Sequence, residues 1–141
     1  MRTCGTIMVV AGNHYVGLYP AAEYDADQTM APRVNAEHRG LHVVLDVTAI
    51  SGDGIIPRVF GVGPTAIDSI GNPTSAVDYL LLAGPTITTT GITVLKIYPG
   101  IATVPNGAAS DFLPWLWKVT IDHLGTTPAT ATYSVFALLQ G

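Results

Sequence analysis

From Trp115 to His123 the chain reads Trp-Leu-Trp-Lys-Val-Thr-Ile-Asp-His. The odd positions Trp115, Trp117, Val119 and Ile121 are apolar, and after Leu116 the even positions Lys118, Thr120 and Asp122 are polar. A period of two is the signature of a strand with one face in a core and one in water. The stretch therefore demands a sheet with an aromatic-lined interior, and Trp115 and Trp117 are expected to carry much of that core.

The same pattern recurs elsewhere. Leu41, Val43, Leu45, Val47 and Ala49 alternate with His42, Val44, Asp46, Thr48 and Ile50, and Ser51-Gly-Asp-Gly54 supplies residues that tolerate positive φ. Ile55–Val62 follows, with Pro57 marking an edge or bulge, so the two strands are expected to form a hairpin. Gly63–Ser75 gathers Pro64, Gly71, Asn72 and Pro73 and reads as a loop. Asp78–Ala83, Thr86–Thr90 and Ile92–Tyr98 are strand candidates, the first two parted by Gly84-Pro85. Pro105, Asn106 and Gly107 exclude a helix between Gly100 and Pro114, and Thr130–Leu139 returns with Ala131, Tyr133, Val135, Ala137 and Leu139 on one face. Val47–Gly54 and Val119–Gly125 echo one another weakly, each ending a strand in a Gly-containing turn, which reads as two hairpins of similar design.

Short strands, no helical period and abundant Thr and Val predict an all-β antiparallel sandwich, or a partly closed barrel. The expected core is Leu41, Val43, Leu45, Val47, Trp115, Trp117, Val119, Ile121, Tyr133 and Val135. Residues 1–38 differ: Tyr15, Tyr19 and Tyr24 punctuate a Gly/Ala/Pro/Asp segment without sustained periodicity. The division is thus an extended N-terminal arm over 1–38, with one short strand at 6–11 and room for one helical turn before Pro32, and a β-sandwich domain over 39–141.

Composition narrows the function. Hydrophobic residues make up 48% of the 141 and charged ones only 11%, against about a quarter in ordinary soluble domains. A surface so lightly charged is expected to meet a partner. The six Lys and Arg are dispersed and the net charge is −4, which argues against nucleic acid. Ile7–Ala11 is too short for a secretory core or a membrane span, so no membrane association and synthesis in a cytoplasm are expected. The single cysteine, Cys4, permits no intrachain disulfide.

No constellation for catalysis emerges. His38 and His42 are four apart but separated by Gly40 at a strand start, His14 and His123 are isolated, and Asp25 and Asp27 lack the further ligands of a calcium loop. Asp46, Asp78, Asp111 and Asp122 are dispersed, and Asp111 reads as an acceptor for backbone N–H groups in its own loop. There is no Gly-x-Ser-x-Gly elbow, and Gly61-Val-Gly63 lacks the third glycine of a dinucleotide loop. No catalytic residue, metal or cofactor is expected.

The runs Arg39-Gly-Leu-His-Val-Val-Leu-Asp-Val-Thr-Ala49, Val94-Leu-Lys-Ile-Tyr-Pro-Gly100, Asp111-Phe-Leu-Pro114 with Trp117-Lys-Val-Thr-Ile-Asp-His123, and Tyr133-Ser-Val135 resemble small virion proteins encoded among the head genes of tailed bacteriophages and prophages. The resemblance covers roughly residues 39–141. Those proteins carry a longer hairpin with Gly and Lys where this chain has Ile55–Val77, and the arm has no counterpart among them. The resemblance implies a capsid decoration (cement) protein on the outer surface of a virion head, with the major capsid protein as partner and a homo-oligomer, trimer or dimer, as its form. A tail or neck subunit and a carbohydrate-binding module for host-surface glycans are the alternatives. The expected contact residues lie in the arm (Tyr15, Tyr19, Tyr24, Arg33) and the long loop (Ile101, Val104).

Overall fold

In a computed structural model, which describes residues 9–10, 13–35 and 38–140, the chain is all-β. The strands are β1 (Val9–Val10), β2 (Asn13–Tyr24), β3 (Arg33–Val34), β4 (Gly40–Ser51), β5 (Ile55–Ile67), β6 (Pro73–Ala83), β7 (Gly91–Ile97), β8 (Ala108–Ala109), β9 (Leu116–His123) and β10 (Thr130–Gln140). One sheet has the order β1-β2-β10-β4-β7-β8 and the other β3-β9-β5-β6. The sheets pack as a sandwich and do not close into a barrel. All pairings are antiparallel except β7 with β8.

The core lies where the alternation puts it. Leu41, Val43, Leu45 and Val47 of β4 face Trp117, Val119 and Ile121 of β9, with Tyr133 and Val135 of β10 and Leu95 and Ile97 of β7 filling the same layer. Each of these side chains is at most 2% exposed, and burial of one such group stabilises by about 1.5–3 kcal/mol. Trp115 does not join them. β9 begins one residue later, and the Trp115 carbonyl accepts the Asn35 N–H before the strand starts, so the ring stands 64% exposed.

Neither expected hairpin forms. β4 pairs with β10 and β7, whereas β5 pairs with β9 and β6, so the Ser51–Gly54 segment crosses between sheets. β9 and β10 are joined by a second crossing of the same kind. The weak echo in sequence marks two corners that stand side by side: Leu124 donates its N–H to the Gly54 carbonyl at 2.9 Å. A Cβ on Gly52 would lie 3.0 Å from the Ala129 backbone, and one on Gly125 would lie 2.8 Å from Asp53. Both glycines have positive φ (87° and 101°), so the corners need glycine twice over.

The stretch 13–24, expected within an arm, is a twelve-residue strand bonded to β10 from His14↔Leu139 to Tyr24↔Ala131. Arg33 and Val34 pair with Trp117 and Leu116. Residues 25–32 make no helical turn; Gln28 bridges Ile121 through two main-chain bonds. Of the expected strand at 6–11, only Val9 and Val10 lie among the described residues, as β1. Cys4 lies outside them.

Gly63–Ser75, expected as a loop, is largely strand. β5 runs to Ile67 and β6 starts at Pro73, around a turn where the Asp68 carboxylate accepts the N–H groups of Ile70 and Asn72. The hairpin passes beyond the sandwich, and residues 76–80 are exposed on both faces. Thr86–Thr90, expected as a strand, contributes only the Ile87–Ile55 bridge. Pro57 fits its place, since its ring nitrogen lies on the side of β5 where β6 has ended and Gly84 donates to its carbonyl at 2.7 Å.

Candidate interaction surfaces

The groups best suited to proton chemistry are committed to the fold. His123 Nδ1 lies 2.6 Å from the Ala129 carbonyl, which only accepts, so the proton sits on Nδ1 and Nε2 accepts from the Tyr133 hydroxyl at 3.0 Å. Burial, followed by the nearby Tyr24, Tyr19 and Asp27 oxygens, raises the Tyr133 pKa, which keeps the phenol a donor. Tyr24 stacks on the Tyr133 ring at 4.6 Å, and Asp27 accepts the His123 main-chain N–H. This network ties β2, β9 and β10 together inside the sandwich.

Several other carboxylates do structural work. Asp122 pairs with Arg58 and Asp78 with Lys118, both on the outer face of the four-stranded sheet. Asp111 accepts the Phe112 N–H at 2.8 Å, within its own loop as expected. Among the described residues no three His, Cys, Asp or Glu side chains gather as metal ligands, and no helix is long and apolar enough to cross a membrane.

The six expected contact residues separate. Tyr19 is buried and donates to the Val119 carbonyl at 2.6 Å; Tyr24 donates to the Pro20 carbonyl and lies under Tyr133. Tyr19 belongs to the interior and Tyr24 is half-buried against it, because β2 is a strand of the sheet rather than a free arm. Tyr15 (55% exposed) and Arg33 stay at the surface. Ile101 and Val104 line an open cleft of about 610 Å³ with His42, Lys96, Tyr98, Ala102, Ala108 and Gln140. Burial, and then the Lys96 ammonium opposite, hold the His42 pKa below its ordinary value.

Two apolar surfaces were not anticipated. The first gathers Val34, Phe112 and Trp115, exposed by 56%, 63% and 64%, along the β3 edge of the four-stranded sheet and the loop that leads into β9, with Arg33 next to Val34 in β3. Main-chain bonds make it rigid: Asn35 donates to the Trp115 carbonyl, Leu113 to the Arg39 carbonyl, and the Asn35 side-chain amide bridges the His38 and Leu113 carbonyls. The signal for it was Pro114, which fixes the chain just before β9 and makes Trp115 the last residue of a loop. The second surface is the outer face of the six-stranded sheet. Tyr15, Phe136, Leu138, Val44, Val94 and Ile92 sit there as neighbours on four strands.

No family model matches this chain, and neither a curated protein nor a solved structure matches it.

Proposed function

We propose that this protein is a structural virion component, a decoration (cement) protein that binds the outside of a bacteriophage head and stabilises the shell. The observation that carries the reading is the rigid rim of Val34, Phe112, Trp115 and Arg33. Trp and Arg are the side chains most enriched among residues that dominate protein–protein affinity, and here they are exposed on backbone already held in place. A β-sandwich with few charges, together with the resemblance over 39–141, supports a partner as large as the major capsid protein. Binding to the assembled shell in preference to free subunits stabilises the shell by mass action, and many attached copies multiply a modest contact.

The test is co-sedimentation with capsids that lack the protein, followed by a thermal melt of the shell. Saturable binding with a raised shell-melting temperature is expected, and the pair Phe112→Ala with Trp115→Ala should abolish it while the far-ultraviolet circular dichroism stays unchanged. Absence of binding by the unaltered protein overturns the reading. The exposed indole also favours a second reading, a carbohydrate-binding module that stacks sugars on Trp115. In that case glycans shift the Trp115 fluorescence, whereas the buried Trp117 does not respond.

A further inference from the structure

The outer face of the six-stranded sheet departs from what a solvent-facing sheet requires. Outward positions of an antiparallel sheet are ordinarily polar. Here Phe136, Val44 and Val94 are direct cross-strand neighbours, flanked by Leu138 and Tyr15 on one side and Ile92 on the other. Ile92 is 68% exposed and Val94 36%, and the Tyr15 ring packs edge-on against Phe136. No described strand lies over this face.

Its few charges are ordered. His42 and Lys96 are paired across β4 and β7 on one side of the apolar row, and Asp46 lies two residues past Val44 on the other. Burial and the neighbouring Lys96 ammonium favour the neutral form of His42, which leaves Lys96 as the cation of the pair. Among the described residues neither Lys96 nor Asp46 has an ion-pair partner within the chain.

We infer that this face binds a second copy of the chain, face to face. A twofold axis in the plane of contact, running across the strands along the Phe136–Val44–Val94 row, maps position 42 of β4 onto position 46 of the other copy's β4. That one operation sets apolar row on apolar row, and each Asp46 carboxylate over His42 and beside Lys96 of the opposite copy. The contact is isologous, so the Asp46–Lys96 pair forms twice. Four strands about 4.8 Å apart and about eight residues long present roughly 500 Å² of flat face per copy. Two copies give about 1,000 Å², the size that a specific interface clears. The inference uses the chain alone and stands or falls independently of any capsid.

The test is sedimentation equilibrium of the purified chain, unaltered and in charge variants whose fold is checked by circular dichroism. A dimer is expected at tens of micromolar. Asp46→Lys and Lys96→Glu should each weaken it at least tenfold, and the double variant Asp46→Lys/Lys96→Glu should restore it, because the swap recreates the pair between positions 46 and 96 with its signs exchanged. Val94→Glu, which the twofold sets against Val94 of the other copy, should give monomers, because two carboxylates then meet in the apolar row. A zero-length carbodiimide cross-link between Lys96 and Asp46 of separate copies is expected in the dimer. Monomers of the unaltered chain at 100 micromolar concentration overturn the inference, and so does a dimer indifferent to Val94→Glu and to both single charge reversals.

Discussion

The two tryptophans, two residues apart, are predicted to behave as opposites. Trp117 is wholly buried, opposite Gly61 on β5 and Arg33 on β3, while Trp115 is 64% exposed. Truncating a buried Trp to Ala costs about 3–5 kcal/mol through lost transfer energy and a residual cavity. A 141-residue domain holds roughly 7–20 kcal/mol in total, so Trp117→Ala removes a large part of it. The melting temperature should fall by on the order of 10–20 °C. Trp115→Ala touches only the surface and should stay within about 0.5 kcal/mol of the parent. Trp117 adds a finer point, because its indole N–H is buried without an acceptor among the described residues. An unpaired buried donor costs about 1–3 kcal/mol, and Trp117→Phe removes that donor while keeping an aromatic ring. It should therefore cost well under half of what Trp117→Ala costs. Urea unfolding followed by far-ultraviolet circular dichroism measures all three without relying on the altered fluorophores. Equal losses in Trp115→Ala and Trp117→Ala would refute the placement of the two rings. If Trp117→Phe matched Trp117→Ala, the argument from the unpaired donor would fail.

Two further outcomes follow from the interior. Burial, and secondarily Tyr24, push the Tyr19 pKa up to about 12, and Tyr133 is shifted in the same direction. The folded state thus holds phenolic protons that the unfolded chain releases near pH 10, so stability is intact below pH 10 and falls as pH rises towards 12. The Tyr19 share alone amounts to about 2–3 kcal/mol; a urea midpoint that stays flat from pH 9 to 12 contradicts it, and Tyr19→Phe should make the decline shallower. Gly40→Ala should destabilise by about 1–3 kcal/mol, since the new Cβ would collide with the Ile97 carbonyl and sit 2.6 Å from the Tyr98 ring. Gly71→Ala, at φ 89° in open space, should cost only the left-handed strain of about 1 kcal/mol, and thermal melts of the two variants should rank them in that order.

Which strands were legible in the sequence depended on burial. β4, β7, β9 and β10 each press one face into the core, and that contact writes the alternation at Leu41–Val47 and Ala131–Leu139. The hairpin of β5 and β6 extends past the sandwich, so Val77, Asp78 and Tyr79 carry no imprint of an inside and an outside. β2 was illegible for another reason: its ladder to β10 shifts register on either side of Val135, and each shift breaks the period of two. Pairing was harder still. Ser51-Gly-Asp-Gly54 has the residues of a tight turn in either case, and only partners some 80 positions away (Val47 with Tyr133) make it a crossing between sheets. Trp115 continues the odd-numbered series by residue type alone, while Pro114 and the Asn35 bond end the strand before it.

The unexpected outer face was nevertheless written in the same rows that revealed the core. β4 reads Leu-His-Val-Val-Leu-Asp-Val and β10 reads Tyr-Ser-Val-Phe-Ala-Leu-Leu, and in each the alternation lapses on the polar side: Val44, Phe136 and Leu138 stand where water-facing residues belong. These lapses coincide in space, since Phe136 is the cross-strand partner of Val44, and Val44 in turn that of Val94. Independent errors of patterning would scatter over the sheet. Three lapses on adjacent strands in a single row, Phe136, Val44 and Val94, instead make one continuous apolar face that a lone sandwich leaves uncovered. In the pairing proposed above, that face is covered by its own copy, which is why side chains that would ordinarily be Lys, Glu or Thr are apolar at these positions of β4, β7 and β10.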